Sequence, residues 1–349
     1  MYGKAFAPEY RGALEELSVN SSLEDVLRRA VEEREQAELA GRALESAQAG
    51  LAVAEASRRL GRVEEAEQAW RDSYRAAERA ADAGAMAWAV WSGGTLARQR
   101  GDLELATRRL TEAAELAERG GDIVARGYSL AGLAETVRIR GDYAAAAGLH
   151  EQLLAEARRR GEARHTVWAL EGIAQIHRNT GEYDTALALF EEAAEIAARA
   201  EDARGEAWAL RGIADVLSLR GETERALELL SRAAATCERM RLASALAYNR
   251  KMRGNVLFRA GRYEEARECY GAALEEFRTM GEPRGEALAR LGLVKSRARL
   301  GREPSATAAD LDELDRTLGG IGLLHAREMV ARARAELGIV PAGGARGAA

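Results

Sequence analysis

The chain has 349 residues, a formal net charge of −5 and 47% hydrophobic residues, which suits one extended repeat array or two ordinary domains. Only 5% of the residues are aromatic and four are prolines, while Ala, Glu, Arg and Leu dominate, so helix is favoured over strand. The acidic balance argues against a nucleic-acid surface. The sequence contains no run of about 18 apolar residues, which a membrane span would need, and no apolar leader at its start. We therefore expect a cytoplasmic protein.

The first twenty residues, 1–20, show no periodicity and are interpreted as a separate N-terminal segment. Residues 21–40 predict one helix that pairs into the first repeat. From there a glycine recurs every forty residues, and an alanine follows five positions after each of the first six. A period of this size predicts stacked supersecondary units. The glycines are Gly61, Gly101, Gly141, Gly181, Gly221, Gly261 and Gly301, and the alanines are Ala66, Ala106, Ala146, Ala186, Ala226 and Ala266.

Each forty-residue unit is predicted to contain two helices. The longer helix follows the recurring glycine, as at Leu103–Arg119. The other helix carries an apolar stripe, such as Leu130, Leu133, Ala134 and Val137, whose spacing keeps these side chains on one face. The glycine is expected to end a helix in the left-handed conformation, and the small alanine to let the next helix approach. Stacked neighbours would then share one continuous core.

Two of these segments resemble the second half of the tetratricopeptide repeat, and they stand here as Gly141-Asp142-Tyr143 with Ala146 and Gly181-Glu182-Tyr183 with Ala186. The forty-residue period is similar to that of LGN/Pins-type adaptors and of many bacterial regulators. The resemblance implies an all-α, right-handed superhelical solenoid of about seven helix pairs over residues 21–303. We expect degenerate capping helices at 304–338 and a disordered tail at 339–349.

A second set of recurring positions lies roughly 130° around the same helix from the apolar stripe. The family resemblance implies that these positions line an inner, concave groove and contact ligands. Aromatic and arginine side chains, which anchor many interfaces, are frequent among them. The predicted binding residues are Trp88, Trp91, Tyr128, Glu135, Arg138, Trp168, Glu171, Gln175, Arg178, Trp208, Arg211, Asp215, Tyr248, Lys251 and Asn255.

A structural interpretation of this stripe stays open beside the binding one. The aromatic rings can cover the loop of the neighbouring unit. The charged side chains can pair along their own helix, because their spacing permits contacts between Glu55 and Arg58, between Glu135 and Arg138, and between Arg211 and Asp215.

The sequence offers no catalytic constellation and no metal-ligand spacing, and we expect no cofactor. Carboxylates two units apart, such as Glu135 and Asp215, are too distant for a catalytic pair because neighbouring helices pack about 8–10 Å apart. His150 and His177 are predicted to be buried, and His165 to lie in a loop. Cys237 and Cys269 are predicted to be small core residues.

Lys251 and Asn255 match two positions of the carboxylate clamp found in chaperone-binding members of the family. The next unit has Gly292 where that clamp needs Asn, so only half of it is present.

These features favour a non-enzymatic scaffold that holds an extended peptide or a segment of a partner protein in its groove. A second interpretation is a solenoid that encloses a small molecule, as a sensor or an unconventional enzyme of a bacterial pathway. A third is a homodimerisation module. Neither a nucleic acid nor a membrane is expected as a partner.

Overall fold

The computed structural model describes residues 23–239, 243–320 and 324–339. The predicted N-terminal segment 1–20 and residues 340–349 of the predicted tail lie outside these ranges. Within them the chain forms sixteen α-helices, and none of these is long and apolar enough to cross a membrane. The helices are α1 Leu23–Leu39, α2 Ala43–Arg59, α3 Val63–Arg79, α4 Ala83–Gln99, α5 Leu103–Gly120, α6 Ile123–Ile139, α7 Tyr143–Arg160, α8 Ala163–Thr180, α9 Tyr183–Arg199, α10 Ala203–Leu219, α11 Thr223–Arg239, α12 Ala243–Arg259, α13 Tyr263–Thr279, α14 Pro283–Arg299, α15 Pro304–Gly320 and α16 Leu324–Leu337.

The helix boundaries follow from local sequence. Asp102 and Asp142 each cap the helix that follows, because their carboxylates accept a backbone N–H bond of 3.0 Å from the residue three positions later. The recurring glycines have φ values between 77° and 92°, so the left-handed turn predicted at each of them is confirmed. The expected difference in helix length is wrong, since both helices of a unit from α2 to α14 contain 17 or 18 residues.

The helices form two layers, and the predicted all-α superhelical repeat is confirmed. Each even-numbered helix from α2 to α12 contacts the next even-numbered helix, and we call α2, α4, α6, α8, α10, α12 and α14 the inner helices. The odd-numbered helices from α3 to α15 pack outside them. The apolar stripe of the inner helices and the recurring alanines of the outer helices are buried between the layers, as predicted.

One close contact in this core depends on a glycine. Gly172 on α8 lies against the buried ring of His150 on α7, and a Cβ at this position would stand 2.1 Å from His150 Cε1. Burial lowers the pKa of His150 to about 4, so the ring is neutral at pH 7 and is buried as predicted. His177, in contrast, is only half-buried, with its Nδ1 3.1 Å from Glu182 Oε2.

We expect Gly172→Ala to lower the free energy of unfolding by about 1–3 kcal/mol, because the added methyl group must displace the His150 ring. Gly148→Ala is the matched control, since Gly148 is exposed on α7 and a Cβ there would meet no atom within 4 Å. The control should raise the free energy of unfolding by about 0.5–1 kcal/mol. Urea unfolding of the two variants measures both values, and equal shifts would contradict the packing described.

Candidate binding lumen

The inner helices complete one turn of the superhelix and enclose a space. Helix α16 at the end of the described chain contacts α4 near its start. Leu60, which follows α2, packs against Gly281, which precedes α14. Arg98 on α4 and Arg284 on α14 are close enough for their charges to interact. The predicted concave groove is therefore the wall of an enclosed channel, which we call the lumen.

Predicted aromatic residues of α4, α6 and α8 form one cluster. Tyr128 is central: its ring centroid lies 4.9 Å from that of Trp88, 5.4 Å from Trp91 and 4.5 Å from Trp168. His165, expected in a loop, instead lies buried in the first turn of α8 with its ring 5.4 Å from Trp168. The aromatic series thus forms a connected surface across three units, because Tyr128 packs edge to face against Trp168 and at a tilt against Trp88.

Two of the aromatic residues have a structural role that the sequence left open. Trp88 Nε1 donates a 2.9 Å hydrogen bond to Asp122, the N-cap of α6, and Tyr248 Oη donates a 2.9 Å bond to Glu282, the N-cap of α14. Each ring therefore ties its unit to the start of the next inner helix. Trp88 is also only 7% exposed, so it contributes little surface to the lumen.

Trp208 is the most accessible of the predicted aromatic residues, with 36% of its surface exposed. The guanidinium carbon of Arg211, one turn later on α10, lies 3.9 Å from the centroid of the Trp208 ring and 5.8 Å from that of Tyr248. Stacking on an aromatic face leaves the N–H edges of a guanidinium available for an acceptor. Trp208 and Arg211 together offer an apolar plane beside a set of donors.

Two charge pairs of the stripe lie along their own helix, as the structural interpretation predicted. Arg138 holds Glu135 through two hydrogen bonds of 2.7 Å. Arg58 binds Glu55 at 2.6 Å, and Glu55 also accepts a 2.7 Å bond from Ser92 on the next inner helix. These partly buried pairs satisfy one another, so they are poor candidates for contacts with a ligand.

The expected pairing of Arg211 with Asp215 is wrong. Asp215 is 3% exposed and is held by arginines from the units before and after it, namely Arg178 on α8 and Arg259 on α12, the second at 2.7 Å. Although burial alone would raise the pKa of Asp215, these two arginines hold it below the usual range. The sequence did not predict a role for Arg259. The repeat position that holds arginine in earlier units is occupied here by its neighbour, Phe258.

Glu171, Arg211 and Lys251 occupy the same repeat position on three successive inner helices. Burial raises the pKa of Glu171 to about 8, and Glu171 Oε1 is a buried atom without a hydrogen-bond partner among the described residues. Burial, and then the charge of Arg211, lower the pKa of Lys251 to about 8. Gln175 lies half-buried one turn after Glu171. This row differs from the rest of the stripe because its members are not paired with one another.

Two of the positions that correspond to the carboxylate clamp make contacts with the outer layer instead. Tyr270 on α13 donates a 2.8 Å hydrogen bond to Asn255 Oδ1, which holds the Asn255 amide against the outer layer. Gly292, in place of the Asn of the clamp, lies against the Tyr270 ring. The structure therefore does not bring Lys251 and Asn255 together with a further amide, as that clamp requires.

Other candidates for chemistry remain separate. Cys237 is fully buried and Cys269 partly so, and both are free thiols. In the ranges that the structure covers, no three His, Cys, Asp or Glu side chains are grouped to hold a metal ion.

Comparison with known proteins identifies the repeat. One tetratricopeptide repeat model matches residues 121–193 and 165–239, and a second matches residues 247–279. No curated protein matches the sequence. A Rap protein complexed with competence and sporulation factor is 15% identical, with a TM-score of 0.56 over 93% of this chain and 97% of that one.

Two further solved structures share the fold. The Rap conjugation gene regulator of the plasmid pLS20, in complex with the Phr* peptide, is 13% identical, with a TM-score of 0.60 over 85% of this chain and 78% of that one. A tetratricopeptide repeat protein from Parabacteroides merdae is 15% identical, with a TM-score of 0.50 over 89% of this chain and 98% of that one. At these identities the likeness concerns the fold alone.

Proposed function

Because this chain is a tetratricopeptide repeat protein with an enclosed, aromatic and cationic lumen, we propose that it is a non-enzymatic scaffold that holds an extended peptide or a segment of a partner protein there. The observation that carries the proposal is the accessible Trp208–Arg211 pair, which continues the aromatic surface of Tyr128 and Trp168 along the lumen. Rigid aromatic faces beside guanidinium donors are the commonest anchors of protein interfaces.

Two neighbours in fold support the choice of ligand. The Rap structures named above, each matching with a TM-score above 0.5, are complexes with competence and sporulation factor and with the Phr* peptide. Neither protein is close in sequence, so the proposal takes from them only that this architecture can accommodate such a ligand. The proposal places the protein in the cytoplasm, where free thiols such as Cys237 persist.

A small-molecule ligand is the second candidate, and one observation favours it. Glu171, Arg211 and Lys251 lie on three adjacent inner helices, and the described residues place no ion-pair partner beside any of them, so their polar groups are available to a small ligand. The two candidates differ in extent, because a peptide must contact several units whereas a small molecule contacts two or three.

The test uses fluorescently labelled random octapeptides and the full chain, with affinity measured by anisotropy. We expect Trp208→Ala to weaken binding by about tenfold or more, because it removes an anchor ring and unstacks Arg211. Tyr143→Ala is the matched control: Tyr143 is an aromatic residue of similar exposure, 38%, on the outer helix α7. Absence of binding by the wild type, or an equal loss in both variants, would refute the peptide groove.

A further inference from the structure

The centre of the lumen holds more positive than negative charge. Arg178, Arg211, Lys251 and Arg259 come from α8, α10 and α12, and Asp215 is the carboxylate among them. Both oxygens of Asp215 are already bound, one by Arg178 and one by Arg259. Asp215 therefore offsets only one of the two positive charges that bind it, and neither of its oxygens is paired with Arg211 or Lys251.

Arg211 is held in place without an acidic partner. Its guanidinium carbon lies over the Trp208 ring, 3.9 Å from the centroid, and 5.8 Å from the centroid of the Tyr248 ring. Within the described part of the chain, no carboxylate oxygen lies within ion-pair distance of Arg211. Stacking on Trp208 restrains the guanidinium and leaves its N–H edges available to an incoming acceptor.

Lys251 stands in the next unit at the same repeat position. It is half-buried, and the residues that the structure describes include no ion-pair partner for its ammonium group. Its lowered pKa has burial as the main cause, followed by the charges of Arg211, Arg284 and Arg259, which Asp215 offsets only in part. Like charges crowded in a partly desolvated space are unfavourable, and an anion between them would relieve the repulsion.

Glu171, on the other side of Arg211, does not supply that anion. Burial raises its pKa to about 8, with Asp202 adding to the rise and Arg211 and Arg204 opposing it, so the carboxyl group is mostly protonated at neutral pH. A protonated carboxyl group donates a hydrogen bond to an anion and does not repel it.

We propose that Arg211 and Lys251 form an anion site that binds a carboxylate of the ligand, beside the Trp208 ring. The proposal rests on the peptide function above and specifies the chemistry of that ligand. A planar carboxylate suits the guanidinium edge, which can donate two parallel hydrogen bonds. This pair differs from the clamp positions considered earlier, because Asn255 takes no part and Arg211 comes from the preceding unit.

The position of the site also sets the spacing between groups along the ligand. Trp168 and Tyr128 lie one and two inner helices before Arg211, and such helices pack about 8–10 Å apart. An extended peptide advances roughly 3.3 Å per residue, so an apolar side chain about three residues from the carboxylate reaches the aromatic cluster. The proposed ligand therefore carries an apolar residue about three positions from its anionic group, in either chain direction.

The experiment compares three pools of labelled octapeptides on the full chain: free C-terminal acids without Asp or Glu, the same peptides as amides, and amides that contain Asp or Glu. We expect a carboxylate-bearing pool to bind about tenfold more tightly than the neutral amides, and Lys251→Met to abolish the difference. Preference for the first pool identifies a terminal carboxylate, and preference for the third identifies a side chain.

The controls separate this inference from the function on which it rests. Lys295→Met removes the other described lumen lysine, which is already paired with Glu336 at 2.5 Å, and should leave the preference intact. Equal binding of all three pools would overturn the anion site and leave the peptide groove standing. If no pool binds, thermal stabilisation by citrate in the wild type but not in Lys251→Met would retain the site for a small carboxylate. Absence of that stabilisation too would refute both proposals.

Discussion

The Glu171→Gln variant is expected to be more stable than the wild type, by an amount that grows with pH. The pKa of Glu171 is raised from 4.5 to about 8 in the folded protein, so the wild type loses stability as the pH rises from 4.5 through 8. Above that range the folded state must hold an ionised carboxylate in a poorly solvated position. Gln has the same shape and does not ionise, and therefore escapes this penalty.

We expect the stabilisation by Glu171→Gln to be near zero at pH 4 and about 2–4 kcal/mol at pH 9, allowing for the part of the side chain that still reaches solvent. Urea unfolding at a series of pH values measures it. Glu135→Gln serves as the control, because Arg138 overcomes the effect of burial and holds the pKa of Glu135 below its usual value. That variant should lose stability at neutral pH. A Glu171→Gln effect that does not change with pH would show that Glu171 is ionised in the folded protein.

The second large effect is expected for Asp215→Asn. The substitution leaves Arg178 and Arg259 beside a neutral amide, and we expect it to lower the free energy of unfolding by about 2–4 kcal/mol, because losing one member of a buried charge network leaves its partners uncompensated. This cost is at the low end for breaking a buried ion pair, because the side chains of both arginines are about one third exposed.

The contribution of Asp215 to the stability of the fold depends on pH. The pKa of Asp215 is depressed below its usual 3.8, so its contribution to stability is present above pH 3.8 and is lost as the pH falls through the folded value. The wild type and Asp215→Asn should therefore converge in strong acid. Asp184→Asn is the control: Asp184 pairs with Arg220 at 2.6 Å but is 93% exposed, so its loss should cost less than about 1 kcal/mol. Equal costs at the two positions would show that Asp215 is not a buried junction.

The sequence predicted whatever depends on neighbouring residues along one helix. The left-handed glycines, the buried stripe of Leu130 and Leu133, and the pairing of Glu135 with Arg138 all depend on spacings of one to five residues. Such spacings fix which side chains share a helical face. The forty-residue period then indicates that the same pattern stacks, because a single unit cannot bury its stripe alone.

Contacts between units were less predictable. Arg211 and Asp215 have the spacing of a helical pair, yet Arg211 stacks on Trp208 and Asp215 binds Arg178 and Arg259. Trp88 likewise belongs to the aromatic stripe but uses its indole N–H to hold the N-cap of the next inner helix. Asp215 and Trp88 thus bind side chains 34 to 44 residues away, and a repeat pattern does not state which of two available partners lies nearer.

By itself the sequence determined the repeating helix pair, the glycine turns that end its helices and its core face. The tertiary structure decided that this inner face is an enclosed lumen, through the contact of α16 with α4 and of Leu60 with Gly281. It also decided which inward-facing charges stay uncompensated. The physical reason is that curvature accumulates from a small rotation at every interface between units, and no local spacing in the chain encodes where the last unit meets the first.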